Sequence, residues 1–376
     1  MSASFTLSEE LRRLIDRYEQ LTNGAAGTAP YLEAEEFADI VSYYHDTNQL
    51  DNANEALTRG LALHPNEPEL LYMKASMLLN DGEINASLQM LDTYRNIIDD
   101  YDADMVRIRA YCMLNRVDDA VSVADHIVST NTDDLANIAL DISSPFIDND
   151  LNEIALRYLL LGKDYDEKHC DLLFELAICL DNLNRTEEAQ KTYRAIIDID
   201  PYNADAWFNL GLLQLDSDDI TSAYESFDYC TSIDMTMSVA WLQKGETAYR
   251  FNRFDETLRD IERYFSLPDI DMHEPVTAEL IEPLGDDGIS ALCLMGDVCL
   301  EMSQPATALC FYEVACEIRP NVIVLTHLAY AYLMAGEAVK AINTARQALT
   351  DATDVTDRVY LRQIIVDAHV IWSHTP

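Results

Sequence analysis

The sequence predicts an all-α protein built from repeated helix pairs, and three observations support this prediction. A small or compact residue recurs in helix-like segments at steps of 34, 33, 35, 34, 34, 34, 51 and 33 residues. Trp207 and Trp241 keep the same phase, 34 residues apart, as do Gly211 and Gly245. Apolar residues recur at i, i+3, i+4 and i+7 in each half of the unit, as in amphipathic helices. The small residues are Ala53, Ser87, Ala120, Ala155, Ala189, Ala223, Thr257, Ala308 and Ala341.

Each unit is predicted to hold two helices that cross closely. A glycine such as Gly211 on the first helix, and the small residue twelve positions later on the second, allow this approach. A larger side chain at either place would overpack the crossing and cost about 1–3 kcal/mol. Pro65, Pro201 and Pro320 each follow a small residue by twelve positions. We expect them to end the second helix, because proline cannot continue the hydrogen-bond ladder.

The period and the residue pattern of these units resemble those of tetratricopeptide repeat (TPR) proteins. The unit 204–237 carries the pattern at Trp207, Leu210, Gly211, Ala223 and Phe227. The resemblance covers residues 34–355, with units 101–135, 136–169 and 238–271 the least complete. The opening run is also similar to that of uncharacterised TPR proteins from Bacteroidetes-type bacteria. The resemblance implies a right-handed α-solenoid of about nine TPR-like helix pairs with N- and C-terminal capping helices.

This organisation predicts five segments along the chain. They are a capping helix and loop over 1–33, repeats 1–7 over 34–271, an insertion over 272–288, repeats 8–9 over 289–355 and a capping helix over 356–376. Thr6 and Glu9 predict a capping box for the first helix, and a loop follows over 23–30. The 17 inserted residues explain the step of 51. They are predicted to form a loop with a short helix near Val276–Ile281, which is either a tolerated surface excursion or a lid or partner contact beside a binding groove.

The charge of the chain restricts the partners it can take. With 25 Lys+Arg and 67 Asp+Glu the formal net charge is −42, and a field of this sign repels phosphates and anionic lipids. The segments Val117–Leu156 and Tyr264–Ile318 contain no lysine or arginine. This acidity serves either solubility, including adaptation to high salt, or the recognition of a basic partner. We expect no binding to nucleic acid or membranes.

The termini and cysteines favour a cytoplasmic location. The run MSASFTLSEELRRL lacks the basic region and apolar stretch of a signal peptide. The longest uncharged run, Pro320–Gly336, is too short and too polar to span a membrane. The eight cysteines lie in apolar periodic segments and are expected to be reduced core thiols.

Motifs for catalysis, cofactors and metals are not found in the sequence. The pair His169-Cys170 lies at a repeat junction, where a packing role is favoured. Cys293, Cys299, Cys310 and Cys316 have spacings unlike those of tetrahedral zinc sites, so they too are expected to pack, although a thiol pair across two helices is conceivable. The run 269–273 resembles the start of a calcium loop. It lacks the required glycine and glutamate at the sixth and twelfth positions, so no calcium site is predicted.

The resemblance to TPR proteins also implies a concave groove lined by the first helix of each pair. Aromatic residues among acidic ones would suit a peptide with apolar anchors and lysine or arginine. The alternative is that several of these side chains only pack against the neighbouring repeat. Projecting the groove positions predicts a lining of Tyr72, Met105, Arg109, Phe174, Asp181, Asn182, Phe208, Leu212, Asp216, Glu246, Tyr249, Asp297 and Tyr330, with Ser76, Leu140, Ser144 and Glu301 beside them.

These features predict a non-catalytic scaffold or adaptor that binds a protein or peptide partner. The basic residues at groove positions are only Arg109, Lys244 and Arg250, and this scarcity disfavours the TPR type that clamps a C-terminal carboxylate. A small-molecule-responsive regulator or enzyme-accessory subunit is the alternative, and it would need a closed polar pocket, for example under the insertion. An enzyme is least favoured, because residues 1–33 and 356–376 are too short for a catalytic domain. No cofactor is expected, and the oligomeric state is left open.

Overall fold

A computed structural model describes residues 9–22, 31–98, 100–131, 133–268, 270 and 276–374. All regular secondary structure in these residues is helical, which confirms the predicted fold class. The chain divides into two compact units, Met1–Arg185 and Thr186–Pro376. Thr6, the predicted loop over 23–30, and Asp269 and residues 271–273 of the calcium-like run lie outside the described residues.

The helices have the following bounds. Unit 1 contains α1 (Glu9–Thr22), α2 (Ala34–Asp46), α3 (Leu50–Leu63), α4 (Pro68–Asn80), α5 (Ile84–Thr93), α6 (Tyr101–Met113), α7 (Val117–Thr130), α8 (Leu135–Ile147), α9 (Asn152–Tyr165) and α10 (Cys170–Asn182). Unit 2 contains α11 (Thr186–Ile199), α12 (Ala204–Asp216), α13 (Ile220–Ile233), α14 (Ser238–Arg250), α15 (Phe254–Ser266), α16 (Ala278–Ile281), α17 (Gly285–Glu301), α18 (Pro305–Ile318), α19 (Val322–Met334), α20 (Ala338–Asp351) and α21 (Val355–His374), with a 3-10 turn at Glu282–Leu284.

Consecutive helices pack as pairs within each unit. In unit 1 the pairs are α2 with α3, α4 with α5, α6 with α7 and α8 with α9. In unit 2 they are α12 with α13, α14 with α15, α17 with α18 and α19 with α20. The nine small residues that define the period are all 0% exposed, so the predicted close-contact positions are confirmed. Pro65, Pro201 and Pro320 each lie two residues beyond the end of a second helix, also as predicted.

A left-handed backbone residue ends the first helix of every repeat. These residues have φ between 54° and 81°, and each lies five positions before its small residue. Asparagine, aspartate and glycine tolerate this conformation best, and they fill eight of the nine positions. The turn residues are Asn48, Gly82, Asn115, Asp150, Asn184, Asp218, Asn252, Ser303 and Gly336.

Glycines on the first helices sit directly against large side chains of the second helices. A Cβ atom added at Gly211 would lie 2.6 Å from the Phe227 ring, and one at Gly296 would lie 2.5 Å from the Tyr312 ring. Phe227 and Tyr312 are both 0% exposed. The absence of a side chain at these two glycines is therefore what admits an aromatic ring into the crossing.

The insertion and the chain ends differ in detail from the prediction. Helix α17 begins at Gly285, so the last four residues of the predicted 272–288 insertion are helical and continue into the repeat. Helix α16 packs against α17 and α18, with Ile281 buried. Helix α21 buries Leu361, Ile364 and Ala368. Val359 and Ile371 on the same helix are exposed, and the described helices against which α21 packs most extensively are α20 and α19.

Among the described residues, none of the helices combines the length and the apolar character needed to cross a membrane.

Candidate functional site

The predicted groove residues all lie on first helices, where they are accessible. Six belong to unit 1 and seven to unit 2. Arg109, Asp181, Asn182 and Asp216 are exposed, and the other nine residues are half-buried. The half-buried residues are Tyr72, Met105, Phe174, Phe208, Leu212, Glu246, Tyr249, Asp297 and Tyr330. Each unit therefore presents a first-helix surface of mixed aromatic and acidic character.

Several of these side chains also contact other residues of their own repeat or of a neighbouring repeat. The Phe208 ring lies 5.9 Å from the Phe227 ring, and Tyr72 packs beside the core of α4 and α5. Asn182 Nδ2 donates to Asn152 Oδ1 at 3.2 Å on the preceding pair. Each of these side chains therefore packs partly against other residues of the protein and remains partly accessible to a partner.

One set of predicted residues converges on a single cavity in unit 2, which we call the tyrosine pocket. The cavity measures about 220 Å³ and lies where α14, α17, α19 and α21 pack side by side. Its lining comes from each of these four helices, so it depends on their correct packing. The lining residues are Tyr249, Asp297, Leu300, Glu301, Thr326, His327, Tyr330 and Tyr360.

Hydrogen bonds fix one wall of the tyrosine pocket. Asp297 Oδ1 accepts a hydrogen bond of 2.6 Å from the hydroxyl of the buried Tyr312. It also lies 2.8 Å from His327 Nδ1, and because a carboxylate can only accept, this nitrogen carries the proton. Asp297 is thus held by partners on α18 and α19. The rings of Tyr330 and Tyr360 stand 6.2 Å apart with their planes at 42°, which forms an aromatic corner.

The electrostatic character of the pocket is negative. Burial, together with the charges of Asp297 and Glu301, raises the pKa of Tyr249 to about 12. Burial, with smaller effects of Tyr330 and Asp297, also raises the pKa of Tyr360. In the described part of the chain, Asp297 and Glu301 form no ion pair with lysine or arginine. The two carboxylates therefore keep a field that favours cations.

A contrasting cluster lies between α13, α14 and α15, and we call it the Lys244 cluster. Lys244 is 9% exposed, and its Nζ lies 2.8 Å from Asp228 Oδ1 and 3.7 Å from Asp260 Oδ1. The same Nζ lies 5.0 Å from the centre of the Trp241 ring. Burial raises the pKa of Asp260 to about 6, although Lys244 opposes this effect. Lys244 thus points toward the second helices, which removes it from the basic groove positions counted from the sequence.

The structure brings together only part of the predicted lining and adds residues that were missed. Tyr249, Asp297 and Tyr330 were predicted, with Glu301 beside them, whereas His327 and Tyr360 were not. Tyr360 could have been found by extending the first-helix positions onto the capping helix. His327 could have been found from its place one turn before Tyr330. The described residues 276–284 of the insertion do not line the tyrosine pocket, so the lid interpretation gains no support there.

Among the described residues, the candidate metal and thiol residues take structural roles. His169 Nδ1 caps α10 by accepting from the Leu172 backbone at 3.2 Å, and its Nε2 lies 3.0 Å from Asn137 Oδ1. Of the eight cysteines, four are buried, three are half-buried and Cys310 is exposed, so the core-thiol prediction holds only in part. No group of three or more metal-ligating side chains lies close enough together in the described ranges to hold an ion.

Comparisons with known proteins give one family match and several similar structures. A family model described as tetratricopeptide repeat matches residues 172–229. The structure of Cut9–Hcn1, an APC/C hetero-tetramer, is 13% identical and covers 94% of this chain and 67% of its own, with a TM-score of 0.47. A tetratricopeptide repeat protein from Parabacteroides merdae is 15% identical over 72% of this chain and 98% of its own, with a TM-score of 0.44.

A third similar structure is YrrB, described as a TPR protein with an unusual peptide-binding site. It is 14% identical and covers 55% of this chain and 97% of its own, with a TM-score of 0.44. Likenesses at these identities concern the fold alone and say nothing about function. Comparison with curated proteins gives no match. Residues 172–229 thus match the tetratricopeptide repeat model, and repeated helix pairs occur in the described residues of both units.

Proposed function

We propose that this protein is a non-catalytic adaptor that binds a protein or peptide segment on its first-helix surfaces. The partner segment carries apolar side chains and lysine or arginine. The observation that carries the proposal is the tyrosine pocket, where three tyrosines and two carboxylates converge without an internal lysine or arginine among the described residues.

The composition of the first-helix surfaces supports this proposal. Aromatic side chains supply contact area at a low cost in conformational entropy, and half-buried rings such as Phe174 and Phe208 can serve as anchors. Carboxylates such as Asp181 and Asp216 lie on the same helices as these rings and remain exposed. A net charge of −42 would speed the association of a basic partner and repel an acidic one.

Capture of partners from a lysate of the native cells tests the proposal. The double variant Phe174→Ala/Phe208→Ala removes one half-buried aromatic from each unit's first-helix surface. We expect it to lose the partner that wild type captures, because each truncation of an anchor residue typically costs about 2 kcal/mol or more of binding free energy. Mass spectrometry identifies the captured proteins, and higher salt should weaken the capture.

A matched control removes two aromatic side chains that lie outside the first-helix surfaces. Tyr31→Ala/Tyr202→Ala also truncates one aromatic per unit, but these rings are 62% and 80% exposed and lie outside the helices. We expect this variant to capture the partner normally. Equal capture by both double variants, at unchanged thermal midpoints, would contradict binding on the first-helix surfaces.

A further inference from the structure

One arrangement recurs in the described residues, in which the chain supplies its own cation to a ring and a carboxylate. At five places in the described ranges, a lysine or arginine lies over an aromatic ring and also pairs with a carboxylate. Lys340 illustrates the pattern, because its Nζ lies 5.0 Å from the centre of the Tyr332 ring and 2.7 Å from Glu337 Oε2. The five sites are Lys244 with Trp241 and Asp228, Lys340 with Tyr332 and Glu337, Arg116 with Tyr111 and Asp119, Arg157 with Tyr158 and Asp125, and Arg253 with Tyr224 and Glu256.

The tyrosine pocket has the ring and carboxylate parts of such a site but lacks the cation. Glu301 lies one helical turn after Asp297 on α17, so both carboxylates reach the cavity. No lysine or arginine is among the described residues that line the cavity. His327 engages Asp297 Oδ1, and Glu301 has no ion pair in the described ranges. A protonated His327 would still leave one net negative charge from the two carboxylates.

We propose that the tyrosine pocket binds a cationic side chain supplied by another protein, either the ammonium of lysine or the guanidinium of arginine. The inference rests on the proposed function for the origin of that side chain, and it names the chemistry of its anchor. The cation would lie against the faces of Tyr330 and Tyr360, within reach of Glu301 and of the Asp297 oxygen that His327 and Tyr312 leave open.

The dimensions of the pocket suit this occupant. A cavity of about 220 Å³ accepts one long side chain rather than a folded segment. The tyrosine rings would cover the aliphatic stem of a lysine or arginine, while the carboxylates would meet its charged end. Because hydrogen bonds already fix Asp297 and α18 and α19 support it, little reorganisation is needed on binding.

Binding of small probes to the purified full-length chain tests the proposal without the natural partner. The probes are Nα-acetyl-lysine amide, Nα-acetyl-arginine amide and the uncharged Nα-acetyl-norleucine amide, and saturation-transfer NMR reports binding. We expect one or both charged probes to bind at least about tenfold more tightly than norleucine amide, since charge-assisted contacts dominate. The ratio of the two charged probes then shows whether lysine or arginine is the natural source.

Two matched variants separate the pocket from general attraction to an acidic protein. Glu301→Gln and Asp216→Asn each remove one charge at the last residue of a first helix, α17 and α12 respectively. We expect Glu301→Gln to weaken binding of the charged probe about tenfold and Asp216→Asn to weaken it by less than about twofold. Tyr330→Leu keeps an apolar side chain but removes the aromatic face, and it should also weaken binding several-fold.

Three outcomes would overturn the proposal. They are equal binding of norleucine amide and the charged probes, an equal effect of Glu301→Gln and Asp216→Asn, or no saturation transfer from any charged probe to the folded wild type. The last outcome would leave the adaptor function standing if the first-helix aromatic variant still lost its partner. Conversely, probe binding with no partner capture would support the pocket and contradict the adaptor function.

Discussion

The Lys244 cluster and the tyrosine pocket contain the same types of side chain but differ in what they do. Both combine aromatic rings with two carboxylates within unit 2, and both involve α14. In the Lys244 cluster the cation comes from the chain itself and is 9% exposed, so the site ties three helices together. In the tyrosine pocket, the described residues supply no lysine or arginine, and the carboxylates face a cavity. The difference indicates that where a repeat places its cation decides whether the site stabilises the fold or stays open to a partner.

The largest expected effect is on the free energy of unfolding when the cation of the Lys244 cluster is removed. Lys244→Met removes the cation and leaves Asp260 buried, with its Oδ2 atom already lacking a hydrogen-bond partner in the described structure. We expect the free energy of unfolding to fall by about 3 kcal/mol, because breaking a buried ion pair strands a charge. Denaturant unfolding measures this. The control Lys340→Met breaks a pair with a similar ring and carboxylate, but Lys340 is exposed, and it should cost less than about 1 kcal/mol. Equal losses would contradict the structural role of the Lys244 cluster.

The next effect is a pH dependence of the free energy of unfolding that arises in the Lys244 cluster. Burial raises the pKa of Asp260 from 3.8 to about 6, so between these values the folded state holds a proton that the unfolded state has released. The contribution of Asp260 to the free energy of unfolding therefore falls as pH rises through this window, by on the order of 2 kcal/mol. Asp260→Asn should remove this part of the slope in unfolding experiments from pH 4 to 6. Asp228→Asn, at a carboxylate whose side chain is 57% exposed, serves as the control and should leave it in place.

A cation that the chain itself places in the tyrosine pocket should make the pocket resemble the Lys244 cluster and close it to a partner. Thr326 lines the cavity on α19, and Thr326→Lys would bring an ammonium toward Asp297 and Glu301. We expect binding of the charged probe to fall by about tenfold or more, while the free energy of unfolding changes by less than about 1 kcal/mol. Thr326→Met has a similar length and no charge, so it separates steric blocking from charge. If the methionine variant blocks as strongly as the lysine variant, the comparison between the two sites loses its electrostatic basis.

The smallest effect concerns the turn that follows the pocket helix α17. Ser303 has φ of 60°, whereas Asn252, which ends α14, belongs to a residue type that tolerates this conformation better. Ser303→Gly should raise the free energy of unfolding by about 0.5–1 kcal/mol, because glycine adopts positive φ without strain. Thermal unfolding measures the gain. Probe affinity should stay unchanged, since the pocket geometry depends on helix packing rather than on the residue type at this turn.

The repeat itself could be predicted from the sequence, because its landmarks are local and recur with a fixed period. Ala223 and the other small residues proved completely buried, and Gly211 proved to lie against Phe227. The structure shows the same period five positions earlier, where Asn48 and its equivalents take the left-handed conformation. A fixed period of this kind predicts the helix pairs and the buried positions well, since every unit packs its two helices in the same way.

The tyrosine pocket was harder to predict, because it depends on contacts between helices far apart in the sequence. Tyr249 and Tyr330 came from the projected groove positions, but Tyr360 lies on a capping helix that no repeat pattern covers. The direction of a long side chain also escaped the pattern. Lys244 lies on a first helix yet reaches Asp228 on the second helix of the preceding pair, which only the packed structure shows.

The most direct test of the central claim is a crystal structure of the full chain soaked with Nα-acetyl-lysine amide. We predict density in the tyrosine pocket that places the probe ammonium within about 4 Å of the Asp297 or Glu301 carboxylate and about 6 Å of the Tyr330 ring centre. A pocket already occupied by a lysine or arginine of the chain itself would contradict the claim that this site is kept for a partner. An empty pocket beside probe bound at other acidic surfaces would contradict it as well.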